Sequence, residues 1–102
     1  MAVLDKKDWN AVVEEQWQRY RSGNHDALEE VMSFLLDFSK RVASRTCGTY
    51  IHSDDEESGI AHLALWEALQ KYEPGRGTIL IFIGQVVRNR LIDYKRKQSV
   101  RR

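Results

Sequence analysis

Residues 53–97 read SDDEESGIAHLALWEALQKYEPGRGTILIFIGQVVRNRLIDYKRK. The fold turns on whether this is two helices about one turn or a helix followed by a strand. Placed at 100° per residue, the first part separates into two sides. Ala61, Ala64, Leu65, Ala68, Leu69 and Tyr72 form one stripe, assigned to the core. Glu56, Gly59, His62, Leu63, Trp66, Glu67 and Gln70 lie opposite. Ser53 with Glu56 fits a capping box, and the acids around them suit the positive end of a helix dipole. Lys71 to Gly77 is a turn: Pro74 biases Glu73 away from helix, and the two glycines permit positive φ. The run ILIFI fits a strand by periodicity alone, but the pattern continues through VVRNRLIDYKRK, too long for a strand. A helix over residues 78–97 is therefore expected, with Leu80, Ile83, Val87, Leu91 and Tyr94 inward. Ile81, Phe82, Gln85, Arg88, Asn89, Ile92 and Arg96 fall on its other side.

The outward sides of these helices differ in chemistry. Leu63 and Trp66 are large apolar groups three residues apart on what should be a wet, acidic face. An aromatic anchor among carboxylates is a common form of protein-binding site. The competing reading is that the N-terminal part of the chain covers them. On the basic helix, Asn and Gln can pair with adenine edges and Arg with guanine or phosphate. Such a stripe fits a nucleic-acid-reading face, and equally a solvated helix. In the turn, Tyr72 and Arg76 could hold a planar ligand between a ring and a guanidinium, as readers of single-stranded bases do.

Toward the N-terminus, a helix is expected over residues 5–21, capped by Asp5. Trp9, Val12, Val13, Trp17 and Tyr20 recur at its spacing, and Gly23 ends it. Asn24 then caps a helix over residues 26–50, apolar nearly all round, which suits a central position in a small bundle. Lys40, Arg41 and Arg45 form a basic patch late in it, a candidate DNA contact. The expected fold is all-α, a bundle of about four helices over residues 1–98, with 99–102 a basic tail or the start of a linker.

A chain of 102 residues can hold one modest core without disulfide or metal. The net charge of +1 hides a segregation. Residues 53–73 set Asp54, Asp55, Glu56, Glu57, Glu67 and Glu73 against Lys71 alone. Residues 88–102 set seven Lys and Arg against Asp93. Two different partners, or nucleic acid at one edge only, are implied. Cys47 is the sole cysteine, so no internal disulfide can form, which fits a reducing compartment. No run approaches the roughly 18 apolar residues of a membrane span, and the N-terminus lacks an apolar signal core. A cytoplasmic protein with no membrane partner is expected. His25, His52 and His62 have no ligand spacing, Cys47 has no CxxC partner, and GRG is too short for a phosphate loop. No enzyme, metal or cofactor is expected.

The run DDEESGIAHLALWEALQKYEPGRG followed by IFIGQVVRNRLIDYKRK resembles region two of bacterial RNA polymerase sigma factors, most closely the sigma-I group of alternative factors. The likeness covers about residues 8–98 and is strongest from 53 onward. It implies an all-helical domain that docks on the clamp helices of the polymerase's largest subunit through Glu56, Gly59, His62, Leu63 and Trp66. It implies a pocket for the flipped adenine of the minus-ten promoter element at Tyr72, Glu73, Arg76 and Phe82. Duplex-reading positions fall on Arg88, Asn89 and Ile92, on the side of the helix that also carries Gln85 and Arg96. Core RNA polymerase and promoter DNA are the implied partners. An anti-sigma protein is a further partner by family analogy, though no residue singles it out. The chain departs from primary factors in being one residue shorter between Gly77 and Phe82. It also carries Gln85-Val86 where those have two duplex-wedging tryptophans, so weaker or more promoter-dependent melting is expected. It has no helix-turn-helix domain, as expected of an isolated or truncated domain. The rival reading is a helical protein-interaction module on the same scaffold, without promoter melting.

Overall fold

Four helices and no strand make up the described residues of the computed structural model, which are 8–75 and 77–100. They are α1 (Trp9–Arg21), α2 (Glu29–Cys47), α3 (Glu56–Lys71) and α4 (Ile79–Val100). The all-α architecture and the helical reading of ILIFI hold. Asp5 and Arg76 lie outside the described residues.

Several ends differ from expectation, each because a local hydrogen bond goes elsewhere. The cap of α1 is Asp8, whose carboxylate accepts from Ala11 N at 3.2 Å. Asn24 caps a tight turn rather than a helix: its side chain accepts from Asp26 N at 3.2 Å. The chain runs in three-residue turns through Ala27 and Leu28, both buried, and α2 begins only at Glu29. Gly48, with φ +73, ends α2 by donating to Ser44 O at 2.9 Å. No capping box forms at the start of α3. Ser53 Oγ accepts instead from Lys40 Nζ at 3.4 Å, and Glu56 accepts from the Tyr94 hydroxyl. Asp55 is the cap residue, with its carboxylate turned back to His52 N at 2.8 Å. The basic end is ordered as helix through Val100.

The core stripe of α3 is as read: Ala61, Ala64, Leu65, Ala68, Leu69 and Tyr72 are buried. Three alanines on that stripe permit close helix approach, and the α3–α4 interface is the most extensive in the molecule. From α4 come Ile79, Ile83, Val87 and Leu91, all fully buried. Full burial of each such side chain stabilises by about 1.5–3 kcal/mol. Ile79 takes the inward place expected of Leu80, which with Tyr94 is half-buried. Asn10 Oδ1 accepts from Leu80 N at 3.0 Å, tying the first turn of α4 to α1. As its apolar composition predicted, α2 is central, packing on all three other helices through Val31, Leu35, Ser39 and Ala43. Trp17 of α1 seals the bundle. Its indole donates to Leu69 O at 2.7 Å, supplying one of the orphan carbonyls at the end of α3.

Candidate functional site

Two outward faces need positioning, one on α3 and one on α4. Because α3 buries its alanine-rich stripe, the opposite side must face solvent. Leu63 is 73% exposed there, between exposed Gly59 and His62. Trp66 differs from its expected wet position: it is half-buried, packed partly against the core. The ridge is therefore one projecting leucine beside a tryptophan with only part of its ring free. The acids of this face are not all loose. Glu67 accepts from Arg90 Nε at 2.8 Å and Lys71 Nζ at 2.9 Å. The Arg90 and Lys71 bonds hold its carboxyl below the usual carboxylate range. A groove of about 410 Å³ lies between α2 and α3, lined by Ser33, Leu36, Asp37 and Lys40 of α2 with Ser58 and His62 of α3. Sequence reasoning missed the α2 wall, since no periodicity within one helix reports which neighbour lies alongside.

On α4, Gln85, Arg88, Asn89 and Arg96 are exposed, as read, and Ile92 is half-buried. At its N-terminal end Phe82 is half-buried and packs against Tyr72, ring centroids 5.9 Å apart and tilted by 52°. Tyr72 itself is 5% exposed, edge-on to Trp17 at 5.0 Å. Its hydroxyl donates to Glu14 Oε1 at 2.8 Å, with Gly77 O a further acceptor at 3.3 Å. Burial, then the Glu14 bond and charge, push the phenol up to about 12. As placed, Tyr72 is floor beneath Phe82 rather than a free stacking surface. Glu73 is exposed beside it.

The basic patch on α2 divides. Arg41 pairs with Asp37 at 3.2 Å. Lys40 reaches Ser53 and stands over the Tyr50 ring at 5.6 Å. Arg45 alone turns to α4, where a second groove of about 400 Å³ is lined by Val42, Arg45, Thr46, Ile81, Gly84, Gln85 and Arg88. Cys47 is a half-buried free thiol, raised from its ordinary value chiefly by burial and opposed by Lys95, unlike an activated nucleophile. Among the described residues no group of three or more His, Cys, Asp or Glu could hold a metal ion. No described helix is long and apolar enough to cross a membrane.

Comparison with known proteins agrees with this geometry. Residues 34–101 match the family described as Sigma-70 region 2. The chain is 31% identical over 88 residues to RNA polymerase sigma factor SigI of Bacillus subtilis (strain 168), covering 85% of this chain and 35% of that protein. It is 37% identical over 84 residues to RNA polymerase sigma factor SigI1 of Acetivibrio thermocellus, covering 80% of this chain and 33% of that protein. SigI6 of the same organism is 30% identical over 95 residues, covering 91% of this chain and 38% of that protein. The chain thus spans about a third of the length of these curated relatives. A four-helix bundle matched over residues 34–101, with sigma-I factors as its relatives, belongs to the sigma-70 region 2 family, in the sigma-I group.

Proposed function

We propose that this chain is the part of an alternative sigma factor that docks on core RNA polymerase and recognises and opens the minus-ten promoter element. The observation that carries the reading is the pairing of two chemically different exposed faces on one core. Leu63 projects from the acidic α3, and α4 presents Gln85, Arg88, Asn89 and Arg96 to solvent. Docking would proceed through Leu63, Trp66 and the neighbouring Glu56, Gly59 and His62, against the clamp helices of the largest subunit. Carboxylates would steer the encounter and the leucine supply burial. The arginines of α4 would neutralise phosphates, so affinity falls with salt. Opening costs about a few kcal/mol per unstacked base, offset by capture of the extruded base near Phe82, Glu73 and Arg76 over the Tyr72 floor. An anti-sigma protein would compete by covering the α3 face. The domain would perform no covalent chemistry and work in the cytoplasm.

Pull-down of core polymerase followed by footprinting on a candidate promoter tests both faces. Leu63→Ala, at an exposed site that leaves the core intact, is expected to weaken polymerase capture by roughly tenfold, about 1–2 kcal/mol. Trp66→Ala should act the same way. Arg88→Ala and Asn89→Ala should leave capture intact and lose promoter opening. Retained promoter opening in these two variants would favour the interaction-module reading instead.

A further inference from the structure

The groove between α2 and α3 is walled mostly by hydroxyls. Ser33 and Ser39 come from α2, Ser53 from the loop that follows and Ser58 from the first turn of α3. Lys40 and His62 stand among them. Ser39 is the unusual member. It is 2% exposed, and its hydroxyl has no hydrogen-bond partner. Leaving a buried hydroxyl unbonded is costly, so nearly all such groups meet protein, water or ligand. The bundle itself has no use for a hydroxyl there. The other buried residues on that side of α2 are Val31, Leu35 and Ala43, and alanine would fill the same place.

The charges around the groove favour an anion. Lys40 pairs with no carboxylate among the described residues, and its ammonium lies 3.4 Å from Ser53 Oγ. The acids nearby are engaged elsewhere. Asp37, which lines the groove, is held by Arg41 at 3.2 Å. The Asp55 carboxylate accepts from His52 N, and that of Glu56 from Tyr94. None of Asp54, Asp55, Glu56 and Glu57 lines the groove. Asp55 also gives α3 no side-chain cap, which leaves donors at the start of that helix, in the turn that carries Ser58.

We propose that this groove binds a small phosphate monoester and that its occupant competes with the polymerase for His62. The phosphate would sit on Lys40, Ser53, Ser58 and the Ser39 hydroxyl, and the organic part against Leu36. A carboxylate would bring two oxygens to these donors, whereas a phosphate monoester brings three. A volume of about 410 Å³ exceeds a bare ion and falls within the range of about 300–1,000 Å³ usual for small-molecule pockets. The competition rests on the docking reading above; the binding site does not.

Calorimetric titration of the full chain at fixed ionic strength tests the site, with phenyl phosphate, inorganic phosphate and phenol as probes. Phenyl phosphate is expected to bind more tightly than inorganic phosphate, and phenol not at all. Lys40→Ala should weaken phenyl phosphate about tenfold, the loss of one charge-assisted hydrogen bond. Arg45→Ala, which removes an equal charge from α2 outside this groove, should leave binding unchanged. Ser39→Ala should weaken it about threefold and raise the melting temperature of the free chain. Saturating phenyl phosphate should lower polymerase capture by the wild type and not by the Lys40 variant. No binding of phenyl phosphate by the wild type overturns the site. Equal losses in the Lys40 and Arg45 variants would mean diffuse charge attraction and also overturn it, as would full binding by Ser39→Ala with a lowered melting temperature. Binding that leaves capture unchanged overturns the competition and upholds the site. Failure of the unliganded wild type to capture polymerase overturns the docking reading instead, and the titration still decides the site.

Discussion

The Tyr72 hydroxyl joins α1 to the end of α3 through Glu14, in a part-buried place. Removing it in Tyr72→Phe leaves Glu14 short of a partner and should cost about 1–2 kcal/mol at neutral pH. The pH dependence has a definite sign. The folded phenol is pushed up to about 12, above the roughly 10 of an unfolded tyrosine, so folding favours the neutral form. That stabilisation is complete below about pH 10 and is lost as pH rises toward 12. Thermal melts across this range should show the wild type losing stability more steeply than Tyr72→Phe. Parallel curves would remove Glu14 and burial as the cause. This residue also shows where sequence reading reaches its limit. The helical wheel put Tyr72 in the core, and family likeness put it in a base pocket. At 5% exposure, packed against Trp17 and Phe82, the ring is part of the core, and its place in a base pocket would be as the floor. Trp66 is the milder case: its period marks the outward side, but a large ring at the margin of a stripe folds back over the core's edge.

At the scale of elements, helix number and inward stripes were legible because burial must follow the 3.6-residue period. Ala61 through Tyr72 needed no revision. The caps were not legible, since each depends on bonds to residues outside the local motif. Ser53 was drawn off by Lys40, thirteen residues earlier, and Glu56 by Tyr94 from α4. The tie between the first turn of α4 and Asn10 likewise joins residues distant in sequence. One glycine on α3 sits in open space: nothing lies within 4 Å of a Cβ placed at Gly59. Gly59→Ala should therefore raise stability by about 0.5–1 kcal/mol. If the polymerase approaches this face closely, the same substitution should weaken docking. Denaturant melts paired with polymerase capture read the two effects separately. A stabilised variant that docks unchanged would remove Gly59 from the interface.

For the whole molecule, the charge segregation seen in the sequence survives folding, but its sum is redistributed. Arg88 and Arg90 look equivalent in a count of basic residues. Two residues apart on a helix they point about 200° from each other, and Arg90 is spent on Glu67. The cations left free of ion pairs are fewer than composition suggests, and the net charge of the chain is only +1. Free of polymerase, the chain is expected to bind duplex promoter weakly, with affinity falling further as salt is raised. Mobility-shift titrations with and without core polymerase measure this directly, and tight sequence-specific binding by the free chain would contradict it.

Residues 34–101 match the family description, yet the ring that closes the far end of α3 belongs to α1. Trimmed to its recognisable span, the polypeptide would keep Leu63, Gln85 and Arg88 but forfeit Trp17, exposing Leu69 and stranding a carbonyl in an apolar setting. The span matched to the family description and the self-supporting body are thus different lengths of chain, and it is the helix before that span that lets the others stand.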